Sequence, residues 1–154
     1  GIPVSKKKAV VWTNIDYTNA NNNAKSYMNN SEVASGLLTG KSWDTVCKWL
    51  QNSDIDVDDS STYGSYRDSQ SPANVEGYGN KQVTGYSENW KVKNIYDLAG
   101  NTWEWTNEIY SSNRVYRGGG YNRNGIVYTV CYRGSDGVSR AGTDLSFRVQ
   151  LYIK

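Results

Sequence analysis

Hydrophobic residues near the start of the chain are spaced as on one face of a helix. Ala20, Ala24, Tyr27 and Met28 fall at i, i+4, i+7 and i+8. Thr18 precedes them and can cap the first turn. The asparagines between them are weak helix formers, so spacing rather than composition predicts this helix.

A second helical pattern surrounds position 45 and is more regular. Asp44 and Lys48 are four residues apart and predict an ion pair along the exposed side, while Gly40 and Ser42 mark the start. The hydrophobic positions recur at i, i+3, i+4 and i+7, namely Trp43, Val46, Cys47 and Leu50. Cys47 is therefore expected to point into the core.

Residues 52–89 show neither a helical nor a strand period and are rich in Ser, Asp, Gly, Asn and Tyr. This composition predicts a long irregular loop, which a compact domain tolerates when the loop is functional or packed by its own side chains. The aromatic residues available for such packing are Tyr63, Tyr66, Tyr78, Tyr86 and Trp90. Four acidic residues in this region lack the glycine and the closing glutamate of a calcium loop, so a solvated turn is expected at Asp54, Asp56, Asp58 and Asp59.

The last third of the chain is typical of strands separated by turns. Residues 126–132 are rich in β-branched and aromatic side chains, and Val115 lies between two polar neighbours in a shorter strand. Residues 9–12 predict a further strand near the N-terminus that can pair in the same sheet as the C-terminal strand. That last strand alternates and is expected to have one buried face, formed by Phe147, Val149, Leu151 and Ile153. Together these elements predict a single α+β domain over residues 1–154.

The charge balance is close to neutral and argues against nucleic acid as a partner. Lysine and arginine number 17 against 15 aspartates and glutamates, and this small excess is far from the clustered basic face that phosphate neutralisation requires. The sequence has no run of about 18 apolar residues and no secretion signal, so direct membrane insertion is not expected. Its start at Gly1, without a methionine, is typical of an excised domain, and we expect an anchoring or tail domain upstream.

Two features of the composition exclude most common catalytic mechanisms and metal sites. The chain has no histidine, which removes the usual general base near neutral pH and most zinc and iron sites. It has two cysteines, too few for a disulfide-rich scaffold or a four-cysteine metal site. By contrast, 13 tyrosines and 6 tryptophans are typical of binding surfaces, because their rings combine apolar area with a polar group.

Three motifs occur in order along the second half of the chain: NIYDLAGNTWEWTNE from Asn94, RVYRGGGY from Arg114 and SFRVQLYIK from Ser146. An earlier segment from Gly36 has the sequence GLLTGKSWDTVCKWL. In this combination the chain resembles the formylglycine-generating-enzyme branch of the C-type lectin fold over residues 36–153. The resemblance implies an α+β, C-type lectin-like fold with two helices, small antiparallel sheets and long irregular loops.

The resemblance also raises an enzymatic hypothesis that the residues do not favour. Oxidases of this branch hold copper with two cysteines placed shortly after the RGG motif, and Arg123 and Tyr128 stand at about those positions here. Cys131 has no neighbouring thiol, and Cys47 lies on a helix. A two-thiolate site would therefore require the fold to bring Cys47 and Cys131 together from distant parts of the chain. We therefore expect no catalytic residue and no cofactor, with an oxidase of altered site as the alternative.

Some relatives hold a structural calcium ion near the GN turn, where Glu104 could contribute an oxygen ligand. Glu104 lies between Trp103 and Trp105, which an extended segment places together on its other side, in the core. We expect Glu104 to be a hydrogen-bonded carboxylate without a metal. Arg148 of the SFR motif is expected to bond locally.

A second branch of the same fold consists of the variable proteins of diversity-generating retroelements. In these, adenines of template asparagine codons are replaced, and the resulting NNY codons never encode Lys, Glu, Gln, Met or Trp. Residues 109–149 contain none of these five residue types, whereas their frequency in the rest of the chain predicts about nine. The same segment holds six of the seven arginines, so it is not depleted in polar residues generally.

This branch implies a non-enzymatic domain for ligand binding or receptor recognition, whose surface within residues 121–144 is hypervariable. Val127, Val130 and Cys131 are expected in the core. The candidate ligand-binding residues are those expected to remain exposed on strands and turns, namely Tyr121, Asn122, Arg123, Asn124, Ile126, Tyr128, Tyr132, Arg133, Ser135, Asp136, Val138, Arg140, Thr143 and Asp144.

The same resemblance implies where such a domain works and what it binds. The expected partner is a cell-surface protein or glycan. The expected location is the tail tip on a phage virion or the surface of a bacterial cell. A structural domain of a phage tail is the third alternative, and it requires residues 121–144 to be buried between subunits.

Overall fold

The computed structural model describes residues 3–69 and 79–154 and confirms the α+β fold. It contains the helices α1 (Tyr17–Ser26) and α2 (Gly40–Gln51) and a short 3-10 helix at Glu88–Trp90. The strands of these residues are β1 (Val33–Leu37), β2 (Lys91–Val92), β3 (Ile95–Tyr96), β4 (Trp103–Tyr110), β5 (Asn113–Arg117), β6 (Arg133–Asp136), β7 (Leu145–Phe147) and β8 (Val149–Ile153). No helix in the described ranges is long and apolar enough to cross a bilayer.

Helix α1 buries the two alanines that its spacing singled out, Ala20 and Ala24. Its cap is Asp16, not Thr18, because the Asp16 carboxylate accepts the backbone N–H of Asn19 at 2.8 Å. The helix therefore starts and ends earlier than predicted. Met28 lies beyond its end and is 38% exposed.

Helix α2 follows its hydrophobic pattern closely. Trp43, Cys47 and Leu50 are buried, as predicted. Thr39 caps the helix by accepting the backbone N–H of Ser42 at 2.9 Å. The predicted ion pair with Lys48 is wrong, since the Asp44 carboxylate pairs instead with the arginines of β5 and β6.

The described part of the long loop is irregular, and its aromatic residues pack it down as expected. The Tyr66 hydroxyl donates to the carbonyl of Gly118 at 2.8 Å from a fully buried position. Trp90 is also buried, and Tyr86 stacks on it with ring centroids 5.7 Å apart. Tyr63 is half-buried, and Tyr78 lies outside the described residues.

The acidic stretch of this loop forms the local turn that was expected. The Asp56 carboxylate accepts the backbone N–H groups of Asp58 at 2.9 Å and Asp59 at 3.1 Å. Asp54, Asp56 and Asp58 are exposed to solvent, and Asp59 is half-buried. The carboxylate of Asp56 thus stabilises the backbone of its own loop.

A four-stranded sheet in the order β6-β5-β4-β7 forms the centre of the fold. Its pairs are antiparallel, as the resemblance implies, except that β4 and β7 run parallel. Trp103 and Trp105 of β4 are buried on the same side, with Leu145 of β7 in the same cluster. The prediction of two core tryptophans is confirmed.

The chain ends do not pair as predicted. Residues 9–12 form no strand, and β8 pairs antiparallel with β1. The expected buried face of the last strand is also wrong, because Leu151 is 50% exposed and Ile153 88% exposed. Strand β1 pairs with β8 along its whole length, yet the end of β8 stays exposed. Phe147 belongs to β7, and its ring contacts that of Trp12.

Residues 121–132 form turns, so the strand predicted at residues 126–132 is wrong. A strand would place Val130 on the same face as Tyr128 and Tyr132, whereas the turns bury Val130 completely and leave the two tyrosines at the surface. Burial of Val130 is confirmed. Val127 is 55% exposed, so its assignment to the core is wrong.

Candidate functional site

The RGG motif brings residues 121–132, which we call the C-terminal segment, against the central sheet. Gly119 has a φ of 79°, and a Cβ atom there would lie 2.4 Å from the carbonyl oxygen of Tyr128. Only glycine permits both this conformation and this approach. The GN turn holds the beginning of the segment, since the Asn101 carbonyl accepts the backbone N–H of Tyr121 at 2.9 Å.

Arg117 ties the same segment to helix α2. Its side chain is only 2% exposed, and it pairs with the Asp44 carboxylate while donating to the Cys131 carbonyl at 3.1 Å. Burial lowers the pKa of the Arg117 guanidinium, and Asp44 opposes this effect. Because Asp44 also pairs with Arg133 at 3.0 Å, one carboxylate connects α2 with both β5 and β6.

Aromatic rings join the sheet to the C-terminal segment. The ring centroid of Trp103 lies 5.1 Å from that of Tyr116, 5.9 Å from that of Tyr128 and 5.8 Å from that of Tyr132. The rings of Tyr128 and Tyr132 are 4.9 Å apart. Trp103 is 3% exposed, so a rigid residue of the core supports the partly exposed tyrosines.

A cavity of about 410 Å³ opens beside these rings, and we call it the C-terminal cavity. Six of its lining residues belong to the predicted ligand-binding set, namely Arg123, Tyr128, Tyr132, Arg133, Ser135 and Arg140. The other three are Trp103, Tyr116 and Gly134, which the sequence reasoning did not assign to a site. The alternation of Tyr116 with buried Val115 was the signal that could have identified one of them.

The three arginines of the C-terminal cavity differ in how their charge is balanced. Arg133 pairs with Asp44 and Glu108, each at 3.0 Å. Arg140 pairs with Asp136 and Asp144. Arg123 is exposed and lies over the ring of Tyr128 at 5.4 Å, and the described part of the chain gives it no carboxylate partner.

The acidic residues of the predicted set support Arg140. Arg140 contacts Asp136 through Nε at 3.1 Å and Asp144 through Nη2 at 3.2 Å. Asp144 is only 9% exposed, so the expectation that it faces solvent is wrong. The Asp144 carboxylate accepts hydrogen bonds from the guanidinium of Arg140 and is buried against it.

The remaining members of the set do not line the C-terminal cavity. Asn124 accepts hydrogen bonds from the guanidinium of Arg67, at 2.6 Å from Nη2, and is half-buried. Tyr121 is half-buried too. The exposed members are Asn122, Ile126, Val138 and Thr143.

On the opposite side of β4, Glu104 and Arg148 form a two-point ion pair. The Arg148 Nε donates to Glu104 Oε2 at 2.9 Å and its Nη2 to Oε1 at 2.8 Å. Burial raises the pKa of Glu104, against the opposing effect of Arg148. The expected hydrogen-bonded carboxylate and the local bonding of Arg148 are both confirmed. Because Arg148 engages both oxygens of Glu104, that carboxylate does not fit the calcium ligand considered from the resemblance.

Asp97 lies near this ion pair and is nearly as buried. Its Oδ2 accepts the backbone N–H of Gly85 at 2.8 Å, while its buried Oδ1 has no hydrogen-bond partner in the described residues. Burial raises the pKa of Asp97 to about 6. Asp97 and Glu104 line a second cavity of about 540 Å³, on the side of β4 away from the C-terminal cavity.

The two cysteines of the chain are bonded to each other. Cys47 of α2 and Cys131 form a disulfide with Cα atoms 5.9 Å apart, so the expectation that they do not meet is wrong. The pairing joins residues 84 positions apart, which sequence spacing does not reveal. As a disulfide they offer no thiolates, and neither lines either cavity. The residues present therefore do not fit the two-thiolate copper site of the resembling oxidases.

The fold and the site together define a C-type lectin-like domain of the formylglycine-generating-enzyme subtype. Comparison with family models agrees, because the model of the sulfatase-modifying factor enzyme 1-like domain matches residues 13–152. The chain belongs to this family.

Among solved structures, the chain is similar to Treponema denticola variable protein 1, with a TM-score of 0.51 and 21% sequence identity. The match covers 82% of this chain and 50% of the other, so the chain spans half the length of that protein. At this identity the similarity concerns the fold. No curated protein sequence matches the chain.

Proposed function

We propose that this protein is a non-enzymatic ligand-binding domain whose surface within residues 121–144 is diversified by a retroelement. The observation that carries the proposal is the C-terminal cavity, in which six predicted contact residues converge on a wall formed by Trp103. A binding site needs side chains that share one concave surface, and these do. The partner is a cell-surface protein or glycan.

The distribution of buried and exposed residues supports diversification. The residues that hold the segment in place are buried, as Trp103, Arg117 and Val130 are. Between them, Arg123 and Ile126 are exposed and can change without removing a core contact. The absence of NNY-incompatible residues from positions 109–149 is the trace that such replacement would leave.

The disulfide supports display outside the cytosol. Disulfides persist in oxidising environments and are rare in the reducing cytosol. The Cys47–Cys131 bond holds the end of the turn segment on α2. The tail tip of a phage or the surface of a bacterial cell provides the required environment, with an upstream domain as the anchor.

Sequencing of the source locus tests the proposal. We expect a template repeat nearly identical to the coding region, with AAY asparagine codons at exposed positions such as Asn122, Arg123 and Ile126, and a reverse transcriptase gene nearby. The codons of Trp103 and Gly119 are the matched controls and should be unchanged between repeat and gene. A locus without repeat and reverse transcriptase contradicts the proposal.

An oxidase with an altered site is the second candidate. The match to the sulfatase-modifying factor enzyme 1-like family model favours it, whereas the disulfide of the pair Cys47 and Cys131 does not. The oxidase requires the pair to be reduced and to bind copper. Copper binding and thiol-dependent oxygen consumption that disappear in Cys131→Ser would support it. If the purified domain has neither property before or after reduction, the oxidase is excluded.

A further inference from the structure

The lining of the C-terminal cavity has an unequal distribution of charge. Its three charged residues, Arg123, Arg133 and Arg140, are all cationic, and the carboxylates that balance two of them lie outside the lining. An anionic group that enters the cavity therefore meets guanidinium groups before carboxylates. Because these carboxylates neutralise Arg133 and Arg140, Arg123 is the cationic group of the lining that an anion can pair with.

Arg123 is the arginine best placed to bind that anion. Arg133 and Arg140 are each held by two carboxylates, so a ligand would have to compete for them. Arg123 is exposed, and its guanidinium lies over the Tyr128 ring. A guanidinium whose N–H groups are not engaged by a carboxylate can make a two-point bond with the carboxylate of a ligand.

The rest of the lining is suited to a ring that carries hydroxyl groups. The hydroxyls of Tyr128, Tyr132 and Ser135 make no hydrogen bond within the described residues, so they are free to bind ligand hydroxyls. The partly exposed tyrosine rings offer flat apolar area to the C–H face of a sugar. A tyrosine can therefore contact both the hydroxyl groups and the C–H face of a sugar ring.

The size of the C-terminal cavity favours a compact ligand group over a flat protein surface. Its volume of about 410 Å³ lies within the range of about 300–1,000 Å³ that is typical of small-molecule sites. A stable protein interface instead covers about 800 Å² on each partner. The size of the cavity therefore suits a small ligand group better than a protein surface.

From this lining we infer that the C-terminal cavity binds a carboxylated sugar of an acidic glycan, with the carboxylate on Arg123 and the sugar ring against Tyr128 and Tyr132. The inference rests on the proposed function and names the ligand class for this one sequence of the surface. A diversified relative with other residues at these positions would bind another ligand on the same Trp103 wall.

Titration with glucuronic acid and glucose tests the inference, because the two sugars differ only in the carboxylate at C6. The readout is the NMR shift of the Trp103 indole N–H, assigned with a Trp103→Phe variant. We expect glucuronic acid to bind at least tenfold more tightly than glucose. Arg123→Gln should remove this preference, whereas Lys41→Gln, which removes one exposed charge elsewhere, should keep it.

Three results would overturn the inference. They are no binding of glucuronic acid, equal binding of the two sugars, and equally tight binding of N-acetylglutamate, which carries a carboxylate without a sugar ring. Thermal unfolding of Arg123→Gln verifies that the variant is folded. The source locus decides the proposed function separately, so a diversified locus together with a failed titration rejects only the ligand class.

Discussion

Trp103 of β4 and Tyr128 of the C-terminal segment meet edge to face, with ring centroids 5.9 Å apart. Trp103 is 3% exposed, while Tyr128 is half-buried and lines the C-terminal cavity. The contact marks the boundary between the residues that fold the domain and those that can vary. Stability should therefore depend strongly on one side of this boundary and weakly on the other.

A matched pair of substitutions measures this difference. Ile126→Ala truncates a side chain that is 59% exposed, so the free energy of unfolding should change by less than about 0.5 kcal/mol. Leu145→Ala truncates a fully buried one and should cost about 2–5 kcal/mol. Urea denaturation of the two variants provides both values. Similar losses in both would show that residue 126 contributes to the core.

Removal of the disulfide should destabilise the domain strongly. The bond closes a loop across 84 residues, for which the chain-entropy model predicts a loss of about 4–5 kcal/mol in Cys47→Ser/Cys131→Ser. Denaturation with and without reductant measures the effect. Reductant should destabilise the parent and leave the double variant unchanged, and a parent indifferent to reductant would show that the bond does not form.

The Glu104–Arg148 pair should be costly to break from one side. Arg148→Gln leaves a buried carboxylate without its partner, and the expected loss in unfolding free energy is about 3–5 kcal/mol. Replacement of both partners, in Glu104→Gln/Arg148→Met, should restore part of that loss. Thermal unfolding of the single and double variants gives the comparison. If the double variant loses the sum of both single losses, the two residues act independently.

Asp97 should make the domain less stable as pH rises. Its folded pKa of about 6 lies above its ordinary value of 3.8, so between these values the folded state binds more protons than the unfolded state. Its contribution is therefore fully present below about pH 4 and is lost as pH rises through 6, by up to ~3 kcal/mol. Asp97→Asn keeps an acceptor for Gly85 and should remove this loss.

The free energy of unfolding of the parent and of Asp97→Asn, measured by denaturation at pH 4 and pH 7, isolates the contribution of Asp97. A chelator in both samples removes metal ions that could bind the carboxylate. The subtraction matters because the pKa of Glu104 is raised by burial too and adds the same pH dependence to both proteins. The stability advantage of the variant should grow toward pH 7. A constant difference between the two proteins would place Asp97 in contact with water.

Local patterns in the sequence predicted α2 and the core tryptophans well. The spacing of Trp43, Cys47 and Leu50 is a property of a single helix, and Trp103 and Trp105 follow from the alternation of a single strand. The motif resemblance supplied the order of the elements. These features depend on neighbours within a few residues of each other.

Residues 121–132 were misjudged because their backbone is held by distant partners. The Val130 carbonyl accepts the indole N–H of Trp43 at 2.8 Å, and its backbone N–H donates to the Ser60 hydroxyl at 2.8 Å. These bonds override the strand propensity of the segment. The sequence did not predict the disulfide for the same reason. It also did not predict the ion pairs of Asp44 with Arg117 and Arg133, since each of these contacts connects residues remote in sequence.

We expect the buried residues of the domain to fold it whatever side chains occupy the exposed positions of residues 121–144. The most direct test is a library with NNY codons at the exposed predicted positions, Asn122, Arg123, Ile126, Tyr132, Arg133, Val138 and Thr143, scored by the fraction of members that resist protease under oxidising conditions. A matched library varies Val115, Val130 and Leu145, which are fully buried. Most members of the first library should fold, and few members of the second should. Equal losses in the two libraries would contradict this expectation.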